Sequence, residues 1–345
     1  MRGSIQKKGD TYYAVIAIGT KRKWFKCGAT KKDAEKVLTE KLGEIDKETY
    51  ADIPRTAFSE YCRIWFGIHA ESSLKPSTQK HYNDILKPLK KAFEGRKLSD
   101  ITTKALQLYI VDRLKAVSAH TIQSEIMLIR LLFTHARKWG YLRRNPAEDI
   151  DAPKYTKPDI DILEPDEIKT FLSQCEEEQS FYRFAFKTDI ETGLRAGELW
   201  GLQWGDIDWD NGRIHVKRSL WRGNLQTPKT KSAFRKVDVS ATLLKELKRW
   251  KLACPISNDD LVFPSFEGCR VNHENVMNRH FHPILRRAGI RHVSFHSLRH
   301  SNASLRIMAG QNIKYISSQL GHSSIKITLD TYGHLFKLRH REPEG

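Results

Sequence analysis

Two proline-marked breaks constrain this chain more than any other feature. One stands at Pro54; the other runs from Asn145-Pro146 through Pro153 to Pro158. Proline fixes φ, removes a backbone donor and turns the preceding residue away from helix, so neither stretch continues a helix or a central strand. The chain must therefore fold in separate pieces. At 345 residues it is too long for one typical domain and suits two or three.

The pieces differ in pattern. Residues 1–52 read as a small sheet with one helix. Residues 11–18 are rich in strand formers, residues 19–23 read as a basic turn carrying Lys21, Arg22 and Lys23, and residues 24–27 as a return strand. Thr30, with Asp33 three residues on, starts a helix whose Ala34, Val37, Leu38, Leu42 and Ile45 share one face. Residues 56–150 read as all helix, over about 56–69, 76–93, 102–115 and from Ser118 or Thr121 to Trp139, where Gly140 stops the last. Ile122, Ile126, Ile129, Leu132 and Phe133 give that helix an apolar stripe, read as bundle core. Residues 160–345 mix helices at about 164, 181–192, 242–251, 275–288 and from His296 onward with strands at 207–218 and 236–240 around a basic hairpin. The fold class is multidomain, mainly α with small β-sheets.

Composition narrows the partners. The 59 Lys and Arg outnumber 41 Asp and Glu, a net charge of +18, which draws polyanions. A hydrophobic share of 39% supports packed cores. No run of eighteen apolar residues offers a membrane span, and the amino terminus has no apolar signal core, so a cytoplasmic protein is expected. The five cysteines are odd in number and form no Cys-x-x-Cys pair, which argues against a disulfide framework or a zinc site and for buried free thiols.

The last piece carries an ordered set of polar motifs. Arg195 stands in Thr192-Gly193-Leu194-Arg195-Ala196-Gly197-Glu198-Leu199, and Lys229 in Thr227-Pro228-Lys229-Thr230-Lys231. His296 and Arg299 stand in His296-Ser297-Leu298-Arg299-His300, His322 in Leu320-Gly321-His322, and Tyr332 in Leu329-Asp330-Thr331-Tyr332. Each motif alone is weak. In this order and spacing the set resembles the tyrosine recombinases, in particular the phage and mobile-element integrases.

The resemblance implies roles. Tyr332 is the nucleophile toward a DNA phosphodiester. Arg195 and Arg299 hold the phosphate, which arginine suits because its planar fork binds two oxygens and stays charged. His322 hydrogen-bonds the same phosphate, and His296, one helical turn before Arg299, orients it or assists proton transfer. Lys229 protonates the leaving 5′ oxygen, with Lys231 as the competing choice. Glu198 braces Arg195. His300 and His334 receive no role, and Tyr315 is expected to pack in the core. Arginines stand in for the metal ions of other nucleases, so no cofactor and no metal is implied.

By the same resemblance, residues 1–52 are an arm-type DNA-binding module, 56–150 a helical core-binding (SAM-like) domain, and 160–345 the catalytic domain. Lys21, Arg22 and Lys23 in the first piece are candidates for facing DNA, as are Lys75, Thr78, Lys80 and Gln123 in the helical piece and Lys231 and Arg235 in the hairpin. The expected partners are double-stranded DNA attachment sites, further copies of the chain in a tetramer on DNA, and accessory proteins, a host DNA-bending protein and an excision factor. A type IB topoisomerase or a catalytically inactive DNA-binding regulator are the competing readings.

Overall fold

The computed structural model describes residues 3–18, 21–46, 54–156, 158, 160–177, 181–227 and 234–339. The chain divides into two compact units, Met1–Thr156 and Lys157–Gly345, with the boundary inside the second proline-marked stretch.

The first unit opens with three strands, β1 Gly3–Lys8, β2 Thr11–Ile18 and β3 Lys21–Gly28, paired antiparallel in that order. The charged β1 was not legible from the pattern of residues 3–8. Lys21, Arg22 and Lys23 belong to β3, opposite Ile18, Ala17 and Ile16, rather than to a turn. Alternation along β3 exposes Arg22, Trp24 and Lys26 on one face. The helix α1, Lys31–Asp46, covers the sheet: a Cβ on Gly3 would come within 2.6 Å of Leu38 Cδ1. Its start is fixed by Thr30, whose hydroxyl accepts from the Asp33 N–H at 3.2 Å and donates to the Asp33 carboxylate at 2.6 Å.

The helical part comprises α2 Phe58–Trp65, prolonged by a π turn Phe66–Glu71, then α3 Pro76–Ala92, α4 Thr103–Arg113 and α5 Ala119–Lys138. Thr102 and Ser118 cap α4 and α5 by accepting from Ala105 and Thr121 N–H groups. The stripe on α5 is core: Ile122, Ile126, Ile129, Leu132 and Phe133 are buried with Phe58, Trp65, Leu89 and Leu106. Glu125 is buried among them and accepts from Tyr109 Oη at 2.9 Å and from Arg113 Nη2 at 2.5 Å.

The second unit runs through α6 Pro165–Glu177, α7 Arg183–Thr192 and α8 Ala196–Trp200 to β4 Ile207–Asp208, β5 Arg213–Val216, β6 Ser219–Trp221, β7 Asn224–Gln226 and β8 Arg235–Asp238. It finishes with α9 Ala241–Ala253, α10 His273–Val276, α11 His282–Arg287, α12 His296–Met308, α13 Ile313–Leu320 and α14 Ile325–Arg339. Residues 207–218 are not the single strand expected. Asp208 accepts from Asn211 N–H and Nδ2, and Gly212 takes φ +63°, so a turn separates β4 from β5. The strands pair as β4-β5-β8, with β6 and β7 a separate hairpin. The core centres on Phe171, Phe186, Trp200, Phe281, Phe295 and Leu298, all buried.

Two further expectations need correction. Cys62 and Cys175 are buried, but Cys27 and Cys254 are half-buried and Cys269 is exposed, held in a turn closed by the Ser265 N–H to the Cys269 carbonyl at 2.8 Å. Tyr315 does not pack in the core: the residue is 37% exposed and its hydroxyl donates to the Asp238 carboxylate at 2.7 Å. Its neighbour Ile316 takes the inward face of α13.

Candidate active site

The site is assembled from two helix ends and the helix that lies against them. α7 stops at Gly193, which takes φ +62°, and α13 stops at Gly321, at φ +68°. A side chain at either position would be both strained and obstructed. A Cβ on Gly193 would lie 2.8 Å from Asn302 Oδ1, and one on Gly321 would lie 2.8 Å from Arg235 Cδ. Each reversal delivers a motif residue: Arg195 two positions after Gly193, and His322 directly after Gly321.

Arg299, on the first turn of α12, is buried between these ends. Its Nη1 donates to the Gly193 carbonyl at 2.5 Å and its Nη2 to the Leu320 carbonyl at 2.6 Å. Burial, with Arg195 and Arg235 nearby, pushes the guanidinium down to about 10, still charged at neutral pH. Asn302, one turn on, donates to the Ile190 and Glu191 carbonyls and secures the same end of α7.

Arg195 is oriented by Glu198. The carboxylate accepts from Arg195 Nη1 at 2.8 Å and from its backbone N–H at 2.9 Å, and Arg195 Nη2 also reaches the Gly321 carbonyl at 3.1 Å. The side chain of Arg195 stays 40% exposed while that of Glu198 is 5% exposed. Arg235 completes the clamp on Glu198 through Nη1 at 3.1 Å and Nη2 at 3.0 Å, and its Nε donates to the Gln319 carbonyl. Burial acts to raise the Glu198 carboxyl, but Arg235 and then Arg195 outweigh it and hold it below its ordinary value. Arg235, expected on a DNA-facing surface, is thus turned inward. Its position four residues beyond a run of lysines hid this, because no local pattern marks a partner 37 residues away.

His296, Arg299, His300, His322 and Tyr332 line one cavity of about 330 Å³ together with Arg195. His296 keeps one side open to solvent; the protein crowded around the other, then the charges of Arg299 and Arg195, push it down to about 4. His322 is pushed to about 4 by burial and then the same arginines, and its Nδ1 pairs with Thr328 Oγ1 at 2.9 Å. Both imidazoles are therefore neutral at pH 7 without a ligand.

The Tyr332 ring is buried in a small cluster with Ala303, Ile307, Ile316 and Leu320. Its hydroxyl lies 2.6 Å from His300 Nδ1. Burial raises that hydroxyl to about 12, with Arg299 pulling the other way. The sequence reading left His300 without a role. The signal was its position, one turn after His296 on the same helix.

The remaining candidates lie elsewhere or outside view. Lys229 and Lys231 fall outside the described residues. Lys75 precedes α3, Lys80 is paired with Asp84 at 2.8 Å, Thr78 is half-buried in α3, and Gln123 donates to the Pro153 carbonyl at 3.1 Å. For Lys21 only the backbone is described.

Residues 161–339 match the phage integrase family, and residues 57–113 match the N-terminal SAM-like domain of phage integrases. The chain is 30% identical, over 95% of its length and 94% of the relative's, to a XerC-like tyrosine recombinase of Caldanaerobacter subterraneus. It is 29% identical to the ICEBs1 integrase of Bacillus subtilis, over 66% of this chain and 64% of that one. Among solved structures, the Tn1549 transposon integrase in complex with a circular intermediate DNA has the same fold, with a TM-score of 0.68 at 21% identity over 79% of this chain and 94% of that chain.

Proposed function

The chain belongs to the phage integrase family of tyrosine recombinases, and from that premise we propose that it cuts and rejoins DNA at specific sites through Tyr332. One observation carries the reading: Arg195, His296, Arg299, His322 and Tyr332, scattered over 138 residues of sequence, line one cavity. Tyr332 Oη attacks the phosphorus, a 3′-phosphotyrosyl bond forms, and the P–O5′ bond breaks. Arg195 and Arg299 offset the charge that grows on the phosphate oxygens, and the neutral imidazoles of His296 and His322 donate hydrogen bonds to them. Lys229 gives the leaving oxygen its proton. The 5′-hydroxyl of a partner duplex then reverses the step, with no external energy source. No cofactor enters this scheme.

The same reading assigns residues 1–52 to arm-type DNA sites, 56–150 to the core site and 160–345 to catalysis. The exposed row Arg22, Trp24 and Lys26 supports the first assignment. The working form is a tetramer on paired DNA sites, assisted by a host DNA-bending protein and an excision factor, in the cytoplasm of a bacterial host. No helix among the described residues is long and apolar enough to cross a membrane.

Tyr332→Phe tests the chemistry on duplexes taken from the DNA flanking the coding sequence. The variant should bind as the wild type does and leave no covalent protein–DNA adduct on denaturing gels; an adduct would move the nucleophile elsewhere. Recombination between two plasmid-borne sites, rather than relaxation of one plasmid, separates a recombinase from a topoisomerase.

A further inference from the structure

A phenol is a poor nucleophile while it holds its proton, and among the roles above only that of His296 touches proton transfer. Burial raises Tyr332 to about 12, so at neutral pH only about 10⁻⁵ of it is phenolate by that value alone. His296 and His322 are weak bases, both pushed down to about 4, and His322 Nδ1 is taken up by Thr328. His300 stands apart. Its Nδ1 lies 2.6 Å from the Tyr332 hydroxyl, and the two rings meet edge to face with centroids 5.6 Å apart. Its other flank meets the His296 ring, centroids 4.6 Å apart at 83°. Both His300 and Tyr332 line the cavity that holds the arginines.

We propose that His300 is a catalytic residue, the proton acceptor for Tyr332 during strand cleavage and the donor that returns the proton on rejoining. The inference rests on the reading of Tyr332 as nucleophile. In the cleavage step Tyr332 Oη bonds to phosphorus, the P–O5′ bond breaks, and the phenolic proton passes to His300 Nδ1. The leaving oxygen is protonated separately, by Lys229. His300 begins as the tautomer with its N–H on Nε2 and ends as imidazolium. Among the described residues, the titratable groups lining the cavity with it are His296 and Arg299 on its own helix, Tyr332 on α14, and Arg195 and His322 across the cavity. A phosphate bound there offsets the positive charge that His300 acquires.

The test is single-turnover cleavage of a flanking-DNA duplex with a 5′-bridging sulfur at the scissile phosphate, which leaves without an acid and so isolates the tyrosine side. For the wild type, log rate should climb with pH and level off where His300 loses its proton. His300→Ala should cleave on the order of 10²-fold slower at neutral pH. Its rate should go on climbing with pH toward the titration of the tyrosine itself. His300→Asn keeps a hydrogen-bonding group near Nδ1 without titrating there, so it should retain the fold and DNA binding and share the slow, unlevelled profile. It decides the matter if the alanine variant is unstable. A wild-type rate and profile in His300→Asn would overturn the proposal. So would faster cleavage, which would make His300 a clasp that restrains the tyrosine. Tyr332→Phe run beside them keeps the two readings apart: an adduct from that variant sinks the nucleophile assignment, whereas its absence with an unaffected His300→Asn sinks only the role of His300.

Discussion

Each unit buries a glutamate clamped by arginine, and the two clamps end differently. In the helical unit Glu125 takes hydrogen bonds from Arg113 and Tyr109, one acid facing one guanidinium and a neutral phenol. That network is closed. In the second unit Glu198 faces Arg195 and Arg235, with Arg299 close behind, so three guanidinium groups surround one carboxylate. Asp189, the other acid near Arg299, is fully enclosed, and burial drives its carboxyl toward the neutral form. The surplus is two positive charges, from three arginines less one glutamate, and Arg195 carries part of it to the cavity. The same residue types serve stability when charges match and binding when they do not; the unmatched charge waits for an anion.

The largest separation should come from Arg195→Ala. Cleavage should fall about 10²–10³-fold, the loss typical of removing one donor from a developing charge. The unfolding midpoint should hold within about 2 °C, because the side chain is partly exposed and Arg235 still pairs Glu198. A large drop in thermal stability with little loss of rate would make Arg195 a structural residue and erase the contrast. Glu125→Ala should do the reverse. Leaving Arg113 unpaired should cost about 2 kcal/mol, below the range for fully buried pairs because Arg113 is partly exposed. Cleavage per folded molecule at saturating DNA should not change; urea titration beside a single-turnover assay checks both.

The smallest effect concerns pH. His296 and His322 fold with their values pushed down to about 4, whereas an unfolded imidazole titrates near 6.5. Between those limits the unfolded chain binds more protons, so stability should fall as pH drops from about 6.5 toward 4. Both rings keep contact with solvent, so the loss should be modest, about 2–4 °C in Tm by pH 5. A duplex core site should reduce that loss, because a phosphate in the cavity favours the charged imidazoles. A Tm that rises on acidification would show that neither ring folds neutral.

Much of this molecule could be read locally. Thr102 and Ser118 mark helix starts because a cap acts within three residues, and the α5 stripe is a one-helix pattern. The motif residues were legible because their order and spacing resemble a family. What failed was non-local. The Asp208–Gly212 turn interrupts a run that looks like one strand by residue type. Tyr315 turned outward because Asp238, 77 residues away, accepts its hydroxyl. Arg235 reads as surface charge until Glu198 is placed beside it, and His300 reads as filler until α14 brings Tyr332 within reach.

Arg299 has a consequence that follows from counting hydrogens. A guanidinium carries five N–H groups, and two are committed here to the carbonyls of Gly193 and Leu320. Three remain for an anion. An ammonium group has three in all. A lysine at this position, keeping both carbonyls, would offer a phosphate one donor; turning all three to the phosphate, it would abandon both helix ends. Position 299 thus sits where valence, more than charge, sets the alphabet: among the twenty side chains only arginine has enough hydrogens to brace both helix ends and still offer a phosphate more than one donor.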